Sequence, residues 1–522
     1  MTLPRPRSKT EGPNLAFITV SIMLATVMQA LDTTIANVAL PHMQGSLAAT
    51  QDQISWVLTS YIVAAAIMTP PTGFLAARFG RRRLFLVTVV GFTVSSMLCG
   101  AATSLSQIVF FRLLQGAFGA GLVPLSQAVL LDTYPREKHG SAMALWGLGV
   151  MVGPILGPTL GGYLTEYQNW RWVFYINLPI GILAALGIMS FVPETERDGK
   201  RPFDVVGFTM LSLAIGALQM MLDRGESQDW FASGEIIVET ALAGLGLYLF
   251  VTHTLTTDKP FLDPDLFRDR NLVTGLLFIF IIGMILLATM ALLPPFLQNL
   301  MGFPVITTGL VLGPRGFGTM AAMILVGRVI NRVDPRALIF TGLCLTAFSL
   351  WQMAHFNTNV TTRMILETGI IQGFGLGFVF VPLSTLTFAT LPPRLRNDGT
   401  SIFSLTRNIG SSIGISVVVS LLARNTQINH ASLVEHVTPF SSAFKLPAIS
   451  HYWNLAQPEG LAAIGSEVTK QATTIAYLDD FLLMVWLTLA AIPLLLLLRP
   501  PARHTPAQTE ADEIDAIEAI EP

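Results

Sequence analysis

The chain has 522 residues, of which 52% are hydrophobic and only 12% charged, with a formal net charge of −2. Soluble domains carry roughly 25% charged residues, so this composition excludes an ordinary soluble domain and describes a polytopic membrane protein. The balanced charge gives no reason to expect a nucleic-acid partner.

The N-terminal stretch MTLPRPRSKTEGP is short, basic and polar. The apolar run behind it is longer than a signal-peptide core and contains Asp32, so it reads as an uncleaved first span. At about 20 apolar residues per span, fourteen spans follow, centred near residues 26, 64, 94, 119, 152, 182, 213, 244, 282, 317, 345, 377, 412 and 488. The expected fold class is an all-α polytopic membrane protein. An even count puts both termini on one side of the membrane. Of the 31 lysines and arginines, 22 fall on that side and 6 on the other, while Arg112, Arg315 and Arg407 lie inside spans. The positive-inside tendency therefore makes both termini cytoplasmic. Cys99 and Cys344 fall within spans and set up no disulfide framework.

Three segments repeat at nearly one offset. GFLAARFGRRRLF returns as GRVINRVDPRALI, where Gly73, Arg78 and Arg82 match Gly327, Arg332 and Arg336 at an offset of 254. QGAFGAGLVPLS from Gln115 returns as QGFGLGFVFVPLS from Gln372, and GSAMALWGLG from Gly140 faces GTSIFSLTRN from Gly399. Such echoes predict two homologous halves in the same orientation. The expected organisation is a cytoplasmic tail (1–14), a six-helix half (15–192), two inserted helices (204–254), a second six-helix half (271–498) and an acidic cytoplasmic tail (499–522). Residues 425–477 read as a long external loop, either a docking element or a floppy one.

Ionisable groups inside spans are costly and are functional candidates by default. Asp32 lies deep in the first span, followed by Thr33, Thr34 and Asn37, with Pro41 marking the external end. Arg112 lies near the external end of the fourth span, three residues before Gln115. An Asp32–Arg112 pair whose partners change would bind and release a proton. The alternatives are a static polar contact for Asp32 and an interfacial anchor for Arg112. Arg363 and Glu367 are four apart and can satisfy each other, although Glu367, with Thr33, Asn37, Gln115 and Arg407, is also a candidate for lining a substrate cavity. Glu235 and Glu239 begin the eighth span and are expected at the membrane interface.

The fifth span contains GLGVMVGPILGPTLGG, in which Gly149, Gly153, Gly157 and Gly161 fall four apart on one helix face beside Pro154, Pro158 and Gly162. Small residues at this spacing let a second helix approach closely, and a membrane span tolerates the prolines. The loop GFLAARFGRRR, with Gly73, Arg78, Gly80, Arg81 and Arg82, either ties helix ends together as a cytoplasmic gate or is plain topology signal. No phosphate loop, H-E-x-x-H or G-x-S-x-G is present. Neither an enzyme, a metal site nor a cofactor is expected, and the proton gradient would be the energy source.

With these motifs, over about residues 15–500, the chain resembles the major facilitator superfamily, and within it the fourteen-span drug:proton antiporters of the EmrB type. GFLAARFGRRR is similar to the superfamily's loop-two motif, RLLQGAFGAG to its span-four arginine motif, and GLGVMVGPILGPTLGG to the span-five motif of exporters. LDTTIANVALP and NWRWVFYINLPIG look like the span-one and span-six signatures of the fourteen-span exporters. The resemblance implies a proton-coupled exporter of hydrophobic or amphipathic compounds in the inner membrane, working by alternating access, with Asp32 and Arg112 in proton coupling and Gly153, Pro154, Gly157, Gly161 and Gly162 shaping a pliable helix against the other half. It also implies a periplasmic adaptor protein and an outer-membrane channel as partners. A nutrient importer on the same scaffold and a non-transporting sensor or scaffold remain as alternatives. One departure is Ala77, where the motif has an aspartate. The gate then closes less firmly, or another acid such as Asp132 or Asp204 replaces it.

Overall fold

A computed structural model describes residues 15–195, 203–330, 332–438, 453 and 457–499. The tails at 1–14 and 500–522, and 439–452 within the expected external loop, lie outside the described residues. All regular structure among the described residues is helical. Thirteen helices are long and apolar enough to cross a membrane, and a bent pair completes fourteen. In order they are α1 (Leu15–Ser46), α2 (Gln51–Met68 and Pro71–Phe79), α3 (Arg81–Ala101), α4 (Leu105–Thr133), α5 (His139–Tyr167), α6 (Trp172–Phe191), α7 (Val205–Arg224), α8 (Gly234–Thr256), α9 (Arg270–Leu300), α10 (Thr307–Val329), α11 (Pro335–Met353), α12 (Thr362–Ala389), α13 (Arg396–His436) and α14 (Pro458–Leu497).

The helix boundaries follow local chemistry. Thr50 caps α2 in a reciprocal capping box with Gln53, and Ser104, Asp204, Asp269, Asp334 and Thr361 cap other spans with their side-chain oxygens. Pro70 and Pro71 sit at the 57° bend of α2, where proline removes backbone donors and crowds the preceding turn. Pro294 and Pro295 end the regular ladder of α9, which continues as a π-turn over Phe296–Leu300. Pro41, by contrast, does not mark the end of α1, because the helix runs on to Ser46.

The expected external loop also needs correction. Helix α13 runs to His436 and α14 starts at Pro458, so 425–436 and 458–477 are helical. No proline or glycine interrupts 425–438, and Pro458 and Glu459 are good first-turn residues. Hydrophilicity had suggested a loop, but backbone propensity decided the conformation.

The sixth helix of each half packs on the first and third helices of that half, α6 on α1 and α3, α14 on α9 and α11. The inserted α7 lies against both halves. Thr59 of α2 donates to Asp223, Gln219 donates to Ser412 of α13 at 2.8 Å, and Ser416 donates to the Leu222 carbonyl at 2.8 Å. Helix α8 packs mainly on α7 and leaves Val238, Leu245 and Tyr248 exposed, a lipid-facing surface. The start of the insert is pinned by Asp204, which accepts from Gly207 N–H and His253 at 2.8 and 2.9 Å and from Phe261 N–H at 3.1 Å. Burial opposes its charge, but these hydrogen bonds outweigh that and hold the carboxyl below its ordinary range. Glu235 pairs with Arg224, and Glu239, near the start of α8, is buried within the protein.

The glycine face of α5 meets α1 of its own half. A Cβ at Gly153 would collide with the Ala30 carbonyl, one at Gly157 with the Thr34 side chain, and one at Gly161 would lie 3.3 Å from the Ile35 carbonyl. The Thr34 hydroxyl donates to the Gly153 carbonyl at 3.0 Å. Gly149 faces Met23, while Gly162 meets nothing within 4 Å. The rings of Pro154 and Pro158 lie outside what is described. These glycines themselves face α1, while the helix they shape does meet the other half, through α10. The contact with α10 is made by a neighbouring face, where Gly140 meets Ile330, Gly147 meets Met323 and Ile155 meets Gly316. Gly153→Val is expected to cost about 1–3 kcal/mol through overpacking. In a thermal unfolding series in detergent it should melt several degrees lower, with Gly162→Ala unchanged.

Candidate functional site

Asp32 is 2% exposed and Arg112 1%. The Arg112 Nη1 donates to Asp32 Oδ2 at 2.7 Å and to Gln115 Oε1 at 2.8 Å, and its Nε donates to the Val57 carbonyl at 3.1 Å. Asp32 Oδ1 accepts from Gln115 Nε2 at 2.7 Å and from Asn177 Nδ2 at 2.9 Å. Asn177 also donates to Ser96, whose hydroxyl donates to the Phe174 carbonyl. The Tyr61 ring lies 4.3 Å from the guanidinium carbon, a cation–π contact on the remaining face.

Five helices thus converge on one carboxylate. Taking two charges out of water costs several kcal/mol per ion, and close pairing with extra hydrogen bonds offsets it. Arg112 is therefore no interfacial anchor. Gln115, expected in the cavity, is fully buried inside this network. Asn177 was missed as a partner, although it stands in the NWRWVFYINLPIG segment and amides inside spans seek partners.

The other cavity candidates do not join this group. Thr33 is half-buried and donates to the Ala30 carbonyl, and Asn37 is exposed one turn further on. Arg407 is half-buried with no ion pair among the described residues. Glu367 sits in an exposed ion pair with Arg363 at 2.6 Å.

The second cluster joins the halves at the end of the bundle where α1 starts. Asp132 at the end of α4 accepts from Arg81 of α3 and, at 2.6 Å, from Arg396 at the start of α13. Both arginines are buried and also reach backbone carbonyls, Ala128 for Arg81 and Leu131 for Arg396. Gly73 lies against Asp398 of α13 so closely that a Cβ would collide with it. Gly80 has φ of 89°, a conformation that glycine adopts readily, and so turns the chain from α2 into α3. Arg78 lies 6.0 Å from the Phe74 ring, and Arg82 is half-buried. Of the two acids considered as replacements beside Ala77, Asp132 links the halves, while Asp204 is committed to His253. This end is closed. On the opposite end α5 leaves Leu156, Tyr163 and Tyr167 exposed at 49%, 58% and 68%.

A bundle of two repeated six-helix halves, with a fully buried ion pair in one half and a charged clasp between them, defines a multi-pass membrane transporter. The chain belongs to the Major Facilitator Superfamily, whose sequence model matches residues 22–415. It is 36% identical over 494 residues to the multidrug export protein EmrB of Escherichia coli (strain K12), covering 94% of this chain and 96% of that one. It is 37% identical over 493 residues to the fatty acid resistance protein FarB of Neisseria gonorrhoeae, covering 94% and 97%. Among solved structures, the proton:xylose symporter XylE aligns with a TM-score of 0.60 at 13% identity, over 92% and 96% of the chains. The human organic anion transporter MFSD10 aligns with a TM-score of 0.58 at 16% identity, over 91% and 100%. At such identities these structures show the fold alone.

Arg112→Leu would leave Asp32 as an uncompensated buried charge, with an expected loss of about 3–5 kcal/mol. Thermal unfolding should show that Asp32→Asn/Arg112→Leu recovers part of this loss, the sign of a coupled pair.

Proposed function

We propose that this protein is a proton-coupled exporter of hydrophobic or amphipathic compounds, a drug:proton antiporter of the inner membrane working by alternating access. The observation that carries it is the Asp32–Arg112 pair, a carboxylate buried where only a partner or a proton can neutralise it. The relatives named for multidrug export and fatty acid resistance support the direction and the substrate class. The arginine-rich closed end is taken as cytoplasmic by the positive-inside tendency, with both termini there.

In this reading the closed clasp at Asp132 holds the outward-facing state. A proton arriving at Asp32 removes its charge and weakens its bond to Arg112, which keeps the Val57 carbonyl and the Tyr61 ring. Helix α1 carries Asp32 and is seated on α5, which contacts α10, so a change at the carboxylate reaches the interface between the halves. In this reading Thr33, Asn37 and Arg407 line the substrate path. The helical extensions of α13 and α14 beyond the bundle are the surface for a periplasmic adaptor that leads to an outer-membrane channel.

Extrusion of a lipophilic fluorescent dye from intact cells tests this reading. It is expected to collapse with a protonophore and in Asp32→Asn, while the variant remains in the membrane. Full extrusion by Asp32→Asn would sink the coupling role. The clasp has its own test, in protein lacking Cys99 and Cys344. Thr400→Cys at the closed end is expected to react faster with an impermeant maleimide applied from the cytoplasmic side once Asp132→Asn is added.

A further inference from the structure

The C-terminal half repeats the polar core of the N-terminal half with its charges removed. At an offset of 257, Gln372 stands where Gln115 stands, Thr289 where Asp32 stands, and Gly369 where Arg112 stands. The repeat is structural as well, because Gln372 Nε2 donates to Thr289 Oγ1 at 3.2 Å as Gln115 does to Asp32. The Thr289 hydroxyl lies 3.6 Å from Met484 Sδ on α14. One helical turn before Met484 is Asp480.

Asp480 is 1% exposed, and neither carboxyl oxygen has a hydrogen-bond partner among the described residues. Gln372 Oε1 is also buried and unpartnered. The N-terminal core gives its acceptors a guanidinium and two amides. In the C-terminal core three buried acceptors receive no hydrogen bond from the described residues. Tyr477, Phe481 and Met484, around Asp480 on its own helix, belong to the apolar cluster that α14 shares with α9 and α11.

Among the described residues no cation pairs with this carboxylate. On its own helix stand Tyr477 and the exposed Asp479, which is of like sign, while Lys470, Glu467 and Glu459 lie ten or more residues away toward the helix start. Between Asn271 and Leu300, α9 has no ionisable residue. Helix α11 offers Cys344 and, at its first turn, Arg336, which is bound to the Leu498 carbonyl. Helix α13 carries Arg407 and Arg424, with Arg396 held by Asp132. The exposed Arg363–Glu367 pair lies on α12, and Arg315 and Arg328 on α10, and among the described residues no cation forms an ion pair with Asp480. An unpaired anion in such a place is far costlier than the neutral acid, whose proton is the missing donor.

We propose that Asp480 is a second proton-binding site, loaded in the state with the cytoplasmic end closed and unloaded when the halves rock. It rests on the antiporter reading and deepens it. The exchange would then move a proton through each half, one on Asp32 and one on Asp480. In each case a carboxylate takes up a proton from outside and returns it to the cytoplasm.

The test uses the full-length protein in liposomes, with ethidium as the transported dye and a pH gradient balanced against a potassium diffusion potential. The balance point gives protons moved per dye. Asp480→Asn is expected to lower that ratio by about one proton with its melting temperature unchanged, and Asp480→Glu to restore it. An unchanged ratio in Asp480→Asn would overturn the second site while leaving the antiporter reading intact. If wild type moves dye without protons, the antiporter reading falls and this inference with it. Should Asp480→Asn fail to insert, proton release on adding ethidium is measured in solubilised Asp32→Asn, where residual release supports Asp480 and none overturns it.

Discussion

The structure depends on one buried charge. Asp32 is held on α1 by donors from α4 and α6, and its pairing with Arg112 ties in α2 through the Val57 carbonyl and the Tyr61 ring. Removing any one donor would leave a desolvated carboxylate short of compensation, so the packing of these helices depends on the groups that compensate Asp32. A group with that property can couple an ion to a movement without any further device.

The route from this pair to the rest of the molecule is mechanical. Thr34, two residues after Asp32, donates to the Gly153 carbonyl, and the glycine face of α5 lets the α1 backbone approach closely. A neighbouring face of α5 touches α10 through Met323 and Ile330. Helix α5 therefore stands between the Asp32–Arg112 pair and the other half, and glycine serves both contacts because it leaves no side chain to interlock. At the end of the bundle where α1 starts, Asp132 bridges Arg81 and Arg396, so the halves are clasped there although Ala77 offers no carboxylate.

The inserted pair has a position that its sequence does not announce. Helix α7 bonds to α2 through Thr59 and to α13 through Ser412 and Ser416, and so spans the seam between the halves on the lipid side. Helix α8 covers α7 and presents apolar side chains outward. Through α7 the inserted pair is thus bonded to both halves. Its bonds to α13 are made by serine hydroxyls, which can exchange partners at small cost as the halves shift.

Composition and hydropathy by themselves determined that the chain crosses a membrane as fourteen helices, because about 20 apolar residues in a row have few other solutions. The repeated glycine, arginine and glutamine positions determined the two-half plan, and charge in an apolar span singled out Asp32 and Arg112. Tertiary structure alone decided the partners. Nothing local to α6 marks Asn177 as a donor to Asp32, and the glycine spacing in α5 shows that a helix lies close without saying which one. The sequence offered Asp132 and Asp204 alike as gate acids until α13 brought Arg396 to Asp132, and Asp480 became conspicuous only when no donor came near. A sequence states which groups cannot face lipid unaided, but the compensating groups come from helices distant in the chain, and only the packed bundle brings them together.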